Sequence, residues 1–550
     1  MNDLAQDLLR KHAALAQKRR MWEPLWQDVA DFIIPIRENI DNNRDVGFKF
    51  GDKIFDGTAV WACKLMVDGL HGYLLSPAIQ WFKLAMENKD LDALHEIRIW
   101  LQGAEETIYK TFNRSGFYDN AWMFLYDGCS IGTACMYMEY DPVLRGVVYE
   151  TIHPGEIFIE DDIYGNVDTV HRVRNLTAKQ AEELFGYDSL PQHVKDLLKT
   201  NPYKEEEWLH CVYPRKNWDK SSLLSVKKKY ASAWLNKSTG TVVKESGYEM
   251  FPYAVWRFYK SGKEANGRSP AMYALQDVKG SNVMSKTLLG AAQMSVDPPL
   301  NIPAELIGKV EWRPRGYNYF ASADRQVSTI NTNINYPIGR DSAEAKQEMI
   351  EKHFFVDFFL MLANAERQMT ATEVMEKQGE KAIILGASIS RLNRESISRT
   401  IDLTFDILFR KGIIQPPPFD VEETDGNIQI EYLGPLAQAQ KRMFSTQGIK
   451  AGIEVAAPIF QLFPETMDLI DADAATGLLL RGYGFPEQGF NEEAKVKNIR
   501  DGRRKAKEEQ AMAESINTDA DTLRSVADAN KKSKTNIADM LNHNLESILQ

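Results

Sequence analysis

Residues 266–299 read NGRSPAMYALQDVKGSNVMSKTLLGAAQMSVDPP. Ser269 is suited to cap a helix, because its hydroxyl can accept a free helical N–H, and Pro270 suits the first helical turn, where no N–H is needed. The Asp-Pro-Pro sequence at 297–299 stops the helix, since proline cannot continue it. The stretch therefore predicts a helix over residues 270–296.

Two further helical patterns follow this one. A segment rich in proline, glycine, asparagine and aromatic residues occupies 297–340, and a second helix is predicted over 341–363, with Phe354, Phe355, Phe358 and Phe359 on one face. After a polar break at 364–369, Thr370 and Glu373 form a capping box for a third helix. That helix runs to Gly412 and the prolines at 416–418. Its forty or so residues would span roughly 60 Å, which exceeds an ordinary domain core.

Before residue 266 the predicted secondary structure changes once, from helices to strands. Helical patterns cover residues 2–34, 59–75, 91–113 and 120–126, with Pro24 either breaking the first or starting a second helix. From residue 132 to about 259 the apolar period changes to two, which predicts strands at 134–140, 146–150, 156–160, 167–173, 207–213, 227–235 and 253–259. One more strand is predicted at 427–432. The sequence therefore predicts an α+β fold that is predominantly helical.

The composition is that of a globular protein without a membrane span. It is 44% hydrophobic and 26% charged, and no run of 18 apolar residues occurs. The four cysteines include no Cys-x-x-Cys pair, which favours reduced thiols in a cytoplasm. A net charge of −11 argues against a protein that grips nucleic acid over its whole surface, but it does not exclude one past which nucleic acid slides.

The motifs of nucleotide-binding and metal-dependent enzymes are absent from the sequence. There is no phosphate-binding Gly-x-x-x-x-Gly-Lys-Ser/Thr loop, no His-Glu-x-x-His, and no histidine pair at i, i+4 among the nine histidines. The sequence therefore predicts no ATPase activity in this chain, no metal site and no cofactor. Residues 491–550 contain no aromatic residue, so they cannot build a large core and are expected to be disordered or to form helices against copies of themselves.

Two patterns leave an enzyme open as an alternative. Gly128-Cys129-Ser130-Ile131-Gly132 matches Gly-x-Ser-x-Gly, but here a helix precedes the serine and a strand follows it, the reverse of the order in a hydrolase. An acidic cluster could hold Mg²⁺ in a metal-dependent nuclease, although a solvated hairpin tip explains it more simply. The cluster consists of Glu156, Glu160, Asp161, Asp162 and Asp168.

A basic and aromatic patch lies between the first two helices. Such a patch stacks bases or grips phosphate, but arginine and aromatic residues are also what protein interfaces enrich, and we favour a contact with another protein. It consists of Trp312, Arg313, Arg315, Tyr317, Tyr319 and Arg325, with Phe320 among them.

Three short motifs carry a resemblance to a known family. They are Asn-Gly-Arg-Ser-Pro-Ala-Met-Tyr-Ala-Leu-Gln-Asp-Val-Lys-Gly-Ser-Asn at 266–282, Gln-Met-Thr-Ala-Thr-Glu-Val at 368–374 and Phe-Asp-Gly-Thr-Ala at 55–59. With their order along the chain, they resemble the head-to-tail connector, or portal, proteins of short-tailed bacteriophages. That resemblance covers nearly the whole chain and is weakest after residue 490.

The resemblance implies a homo-oligomeric ring, typically of twelve subunits, at one capsid vertex of the virion. The ring would conduct double-stranded DNA during packaging and ejection without reading its sequence, and would not be an enzyme. It implies synthesis in the host bacterial cytoplasm and four kinds of protein partner: the terminase large subunit, the tail adaptor, the major capsid protein and the scaffolding protein.

The resemblance also implies a map of the subunit. Residues 1–265 would form a wing, residues 266–296 and 341–363 two antiparallel stem helices, and 297–340 the clip between them. Residues 364–372 would be a tunnel loop, 373–419 a long wing helix, 420–490 a crown, and 491–550 a helical barrel or a disordered tail. From position and charge, the candidates for weak contact with DNA are Lys346, Lys352, Arg367, Gln368 and Thr370.

Overall fold

The computed structural model divides the chain into two compact units, residues 1–92 with 100–469 and residues 93–99 with 470–550. In the second unit the helix Ala472–Gly482 carries Asp473, which pairs with Arg500 at 2.6 Å. The structure describes 3–37, 39–41, 51–222, 224–311, 315–320, 326–329, 336–364, 385–418, 427–433, 471–482, 489–491 and 495–510, with a few isolated residues.

Helices make up the first part of the chain. Pro24 lies in the first turn of the second helix, so it starts a helix rather than breaking one. The prediction of a single helix over 91–113 is wrong, because the structure has two helices separated at Leu94. Asp92 of the first of these accepts a hydrogen bond from the backbone N–H of Met86 at 3.1 Å. The helices are α1 Asp3–Arg20, α2 Glu23–Phe32, α3 Thr58–Leu74, α4 Lys89–Ala93, α5 His95–Arg114 and α6 Phe117–Ser130.

Two antiparallel sheets follow, as the change of period predicts. Their strands are β2 Thr133–Asp141, β3 Gly146–Ile152, β4 Ile157–Asp161, β5 Val167–Thr177, β6 Glu205–Pro214, β7 Tyr230–Asn236, β8 Thr241–Tyr248 and β9 Tyr253–Arg257. The first sheet has the order β3-β2-β9 and the second β4-β5-β6-β7-β8. Two short helices, α7 Ala178–Phe185 and α8 Gln192–Thr200, connect β5 to β6, and Thr177 and Gln180 form a capping box for α7. Strand β8 was not predicted.

Buried apolar residues join these layers. Cys135 and Tyr253 of the first sheet pack with Val170 and Val212 of the second. On the second sheet, Leu8 of α1 packs against Leu209, Cys211, Ala233 and Leu235. The N-terminal helix is therefore a fixed layer of this domain.

One strand pairing spans most of the chain. Strand β1, Phe82–Met86, runs antiparallel to β12, Ile428–Tyr432, with Leu84 opposite Ile430. The sequence predicts β12 but not β1, since a five-residue strand with its partner some 340 positions away leaves little local signal.

The helix predicted over 270–296 is confirmed as α9, Pro270–Val296. The second helix is not as predicted, because it begins earlier and is divided. It forms α10, Tyr336–His353, and α11, Val356–Asn364, and Phe355 between them has φ of +55°, a conformation in which an α-helix cannot continue. Between α9 and α10, the short strands β10 Leu300–Asn301 and β11 Ser328–Thr329 pair with each other.

The described part of the third helix covers residues 385–410. Residues 385–392 are α-helical, Asn393–Ile397 form a π-helical turn, and α12 spans Ser398–Arg410. Gly412, with φ of +69°, follows its end as predicted. The predicted start at residue 373 and its capping box lie outside the described residues.

The fold is a mixture of helix and strand, which confirms the α+β class at that level. Within the ranges that the structure describes, no helix is both long and apolar enough to cross a membrane.

Candidate functional site

Helix α9 begins at a close crossing of two backbones. The N–H of Gly267 donates to Thr133 Oγ1 at 2.8 Å, and Ser269 Oγ donates to the carbonyl of Ser130 at 2.5 Å. A Cβ on Gly267 would lie 2.2 Å from the carbonyl oxygen of Gly132, and one on Gly132 would lie 2.5 Å from that of Gly267. Both positions therefore require glycine, and the start of α9 is locked to the α6–β2 turn.

Ser269 also caps α9, as its position in the sequence predicts. Its Oγ accepts the N–H of Met272 at 3.1 Å while it donates to Ser130. One hydroxyl thus satisfies a free helical N–H and fixes the helix to the sheet domain.

The motif at 55–59 packs against the middle of α9. Asn282 Oδ1 accepts the N–H groups of Phe55 at 2.6 Å and Asp56 at 3.2 Å, and its Nδ2 donates to the carbonyl of Lys53 at 2.6 Å. Ser281 Oγ donates to Asp56 Oδ2. Two motifs more than 200 residues apart in the sequence therefore form one contact.

Asp56 is held ionised at this contact. Burial alone would raise the pKa of its carboxyl, but hydrogen bonds from Ser281, Thr58 and Gln347 hold the pKa below its ordinary value. Because Gln347 belongs to α10, Asp56 connects the N-terminus of α3 to both long helices.

Helices α9 and α10 pack side by side and antiparallel. Asp277 near the start of α9 accepts from Lys346 at 2.6 Å and lies 3.6 Å from the ring of His353, near the end of α10. Towards the other end, Gly339 packs against Leu288. The pair thus leaves the sheet domain as a two-helix stalk, with the described residues of the 297–335 insertion at its far end.

A cavity of about 370 Å³ lies at the base of this stalk. Tyr259 and Tyr273 meet there edge to face at 5.9 Å between ring centroids. The residues that line the cavity are Tyr259, Pro270, Tyr273, Lys352, His353 and Phe355. The strained Phe355 thus faces the start of α9.

Comparison with known proteins gives the family. The family model described as bacteriophage head to tail connecting protein matches residues 5–490. The chain belongs to this family. It is 29% identical to the portal protein of Salmonella phage epsilon15 over 523 residues, 92% of each chain, and 28% identical to the probable portal protein of Bordetella phage BPP-1 over 483 residues, 85% of each. These findings confirm the resemblance and support the portal role that it implies, whereas the nuclease alternative has no support.

The acidic cluster of this connecting protein is paired with cations and turn N–H groups. Each carboxylate has its own partner, so the five do not converge on one point. Glu156 pairs with Arg172 at 2.9 Å, Glu160 with Lys11 at 2.7 Å, Asp161 with Arg257 at 3.0 Å, Asp162 accepts the N–H groups of Tyr164 and Asn166, and Asp168 accepts the Thr169 hydroxyl. In the described part of the chain, no group of three metal-ligating side chains comes together.

The Gly-x-Ser-x-Gly pattern is explained by packing. Ser130 is fully buried at the end of α6, and its hydroxyl donates to the carbonyl of Tyr126 at 2.5 Å. Gly128 lies against the ring of Trp256, and Gly132 lies at the crossing with Gly267. The predicted helix-to-strand turn is confirmed.

The candidate DNA contacts on α10 already have protein partners. Lys346 pairs with Asp277 at 2.6 Å and Lys352 with Glu348 at 2.7 Å, and both lysines stay about half exposed. Arg367, Gln368 and Thr370 lie outside the described residues.

The patch in the insertion is exposed where the structure describes it. Arg313 pairs with Glu311 at 3.0 Å, while Tyr317 and Tyr319 are 77% and 85% exposed. Arg315 adopts a positive φ of 65°. Trp312 and Arg325 lie outside the described residues, so their role remains a prediction.

A buried ion network surrounds Arg257 and was not predicted from the sequence. Arg257 is 1% exposed and pairs with Asp161 at 3.0 Å and Glu395 at 2.9 Å, while Lys260 pairs with Asp161 at 2.6 Å. The available signal was a single arginine within an otherwise apolar run, Tyr-Ala-Val-Trp-Arg-Phe at 253–258. A buried arginine requires such partners.

Proposed function

We propose that this chain is the repeating subunit of a closed ring, typically of twelve copies, at one vertex of a phage capsid. Double-stranded DNA would enter and leave through its centre. The observation that carries the proposal is the antiparallel α9–α10 stalk, anchored to a sheet domain and carrying an insertion at its far end. The family match and the two portal relatives support the same conclusion.

The proposed subunit map follows the sequence, with one boundary moved. Residues 1–265 form the wing, α9 and α10–α11 the stem, and 297–335 the clip, because α10 begins at Tyr336. The tunnel loop at 364–372, the long wing helix at 373–419, the crown at 420–490 and the tail at 491–550 keep their proposed roles.

The proposed partners meet the ring at different places. The clip, with its exposed Tyr317 and Tyr319, receives the terminase large subunit and later the tail adaptor. Since the sequence has no phosphate-binding loop, the terminase supplies the ATP hydrolysis. The outer wing contacts the major capsid and scaffolding proteins.

An uncharged face of α9 is the proposed contact between neighbouring stems. Its positions alternate three and four residues apart, the spacing of a helix–helix seam. They are Tyr273, Gln276, Gly280, Val283, Thr287, Gly290 and Met294. Val283 is 64% exposed and Met294 51%, and nothing lies within 4 Å of a Cβ built on Gly280 or Gly290. A face without charge, with glycines that admit close approach, is suited to a second copy.

The charge pattern suits weak contact with DNA. The chain carries a net charge of −11, so most of a channel wall would repel DNA. Lys346 and Lys352 would face it with charges already shared with Asp277 and Glu348. Paired cations bind phosphate less strongly than free ones, and DNA would slide rather than stick.

A single substitution on the α9 face tests the ring contact. Val283→Glu adds a charge to the seam while leaving the subunit core untouched, so we expect rings to be lost at concentrations where the wild-type protein forms them. Mass photometry measures this. Leu184→Glu, a similar change at a 43% exposed site on α7, is the control and should form wild-type rings. Rings of unchanged mass from Val283→Glu would refute the assignment of this face.

A further inference from the structure

The loop between β6 and β7 is strongly basic in an otherwise acidic chain. Residues 215–229, here called the basic loop, contain six cations and one carboxylate, Asp219, whereas the whole chain carries a net charge of −11. The cations are Arg215, Lys216, Lys220, Lys227, Lys228 and Lys229. A local excess of one sign on a surface of the other sign is a feature that electrostatic recognition uses.

The basic loop is a fixed extension of the β6–β7 hairpin. The N–H of Arg215 donates to the carbonyl of Lys229 at 2.8 Å. Further out, the N–H of Asp219 donates to the carbonyl of Lys227 at 3.0 Å. The Arg215 side chain also donates to the carbonyl of Ser246 on β8 at 3.0 Å, which attaches the loop to the sheet. A partner would therefore meet a surface that is already ordered, and this lowers the entropic cost of binding.

Only two of the six cations are paired with carboxylates in the part of the chain that the structure describes. Arg215 pairs with Glu245 at 3.0 Å and Lys228 with Glu249 at 2.5 Å. The other four are exposed and have no carboxylate within 4.0 Å among the described residues. They are Lys216, Lys220, Lys227 and Lys229. Their charge is therefore available to an anionic partner.

Three exposed apolar side chains lie among these lysines in the loop. Trp218 is 46% exposed, Leu224 59% and Val226 43%. Apolar side chains surrounded by charged ones are typical of surfaces that contact another protein. Double-stranded DNA would offer phosphates to the lysines but nothing to Leu224 and Val226, because its bases are stacked inside the duplex. The combination therefore favours a protein partner over nucleic acid.

We infer that the basic loop is a docking site for an acidic amphipathic segment of another protein, in which carboxylates alternate with apolar side chains. The carboxylates would pair with the four unpaired lysines, and the apolar side chains would cover Trp218, Leu224 and Val226. Charge complementarity selects this occupant, because four unpaired cations attract carboxylates and repel basic segments. The site lies within one subunit, so the inference goes beyond the ring proposal and does not depend on it.

Fluorescence anisotropy with a defined peptide tests the site. The probe is a labelled helical peptide of about 18 residues with glutamate on one face and leucine on the other. It should bind the full-length wild-type protein. Replacing the four unpaired lysines with glutamine should weaken binding about tenfold, since each exposed ion pair contributes roughly twofold.

A second variant and a second peptide test the apolar part of the site. Trp218→Ala combined with Leu224→Ser should also weaken binding of the probe about tenfold, because the apolar anchors are lost. A peptide of the same charge without leucine should bind the wild-type protein more weakly than the probe does.

The matched control changes four exposed lysines elsewhere in the first compact unit to glutamine. They are Lys64, Lys179, Lys199 and Lys263. This variant has the same net charge as the four-lysine loop variant, so it should keep the wild-type affinity if the loop, and not the overall charge, binds the probe.

Other results would overturn the inference. Equal binding of the probe by the wild type and the four-lysine loop variant, or no binding by the wild type, would remove the site. A DNA duplex that binds the loop more tightly than the probe, without dependence on Trp218 and Leu224, would assign the loop to nucleic acid. Rings that form from the wild type but not from the loop variant, measured by mass photometry, would assign it to a contact between copies of this chain.

Discussion

Replacing Gly267 with alanine should strongly destabilise the subunit. The added Cβ would lie 2.2 Å from the carbonyl oxygen of Gly132 and 2.9 Å from Cβ of Arg257. The two backbones would have to separate by about 1 Å, since ordinary contacts are no closer than 3.4 Å. Neither neighbour is the end of a flexible side chain that could move aside.

The loss in the free energy of unfolding follows from the overpacked contact and from the two hydrogen bonds that the separation of the backbones would break. Overpacking of a rigid contact costs about 1–3 kcal/mol. The bonds from Gly267 to Thr133 and from Ser269 to Ser130 would stretch beyond hydrogen-bond range, at about 1 kcal/mol each. We therefore expect the free energy of unfolding to fall by about 3–5 kcal/mol, which is a large part of what holds a domain together.

Urea denaturation followed by far-ultraviolet circular dichroism measures the change. Gly103→Ala is the matched control, because Gly103 lies exposed within α5 and nothing lies within 4 Å of a Cβ built there. That variant should gain about 0.5–1 kcal/mol from the better helix propensity of alanine. A Gly267→Ala protein with the wild-type midpoint would refute the account of the crossing.

Two further predictions concern pH and DNA. Burial lowers the pKa of His12 to about 4 and that of His171 to about 3. Below pH 6.5 both histidines are therefore protonated in the unfolded chain but stay neutral in the folded chain, which favours unfolding. The contribution of these neutral histidines to the free energy of unfolding is fully present above pH 6.5 and is lost as the pH falls towards 4. At pH 5 each histidine should cost about 2 kcal/mol, and unfolding in urea at pH 7.5 and 5 should show a smaller loss for His171→Leu than for wild type; equal losses would contradict the assignment. Replacing Lys346 and Lys352 with glutamine should alter DNA retention in packaging assays while rings still form, and loss of the rings would show that these lysines serve assembly.

The sequence predicts those elements whose signals are local. Helix α9 matches its predicted bounds because a capping serine and an Asp-Pro-Pro stop lie next to its ends in the chain. The helix-to-strand turn at Ser130 is predicted for the same reason, since the order of neighbouring elements is visible locally.

The features that the sequence misses depend on distant partners or unusual backbone. Phe355 divides the second helix with a positive φ, a conformation that glycine or asparagine would signal but phenylalanine does not. Arg257 and Glu395 are 138 positions apart, so no local pattern connects them. The lysines proposed to meet DNA were chosen by position and charge, and their partners Asp277 and Glu348 appear only when the helices are packed.

The most direct test of the central claim is negative-stain electron microscopy of the purified full-length chain, with its mass measured in solution. Closed rings with a central hole are expected, and their mass divided by that of one 62.6 kDa chain gives the subunit number. A protein that stays monomeric at high concentration, and still does so with scaffolding protein present, would contradict the ring.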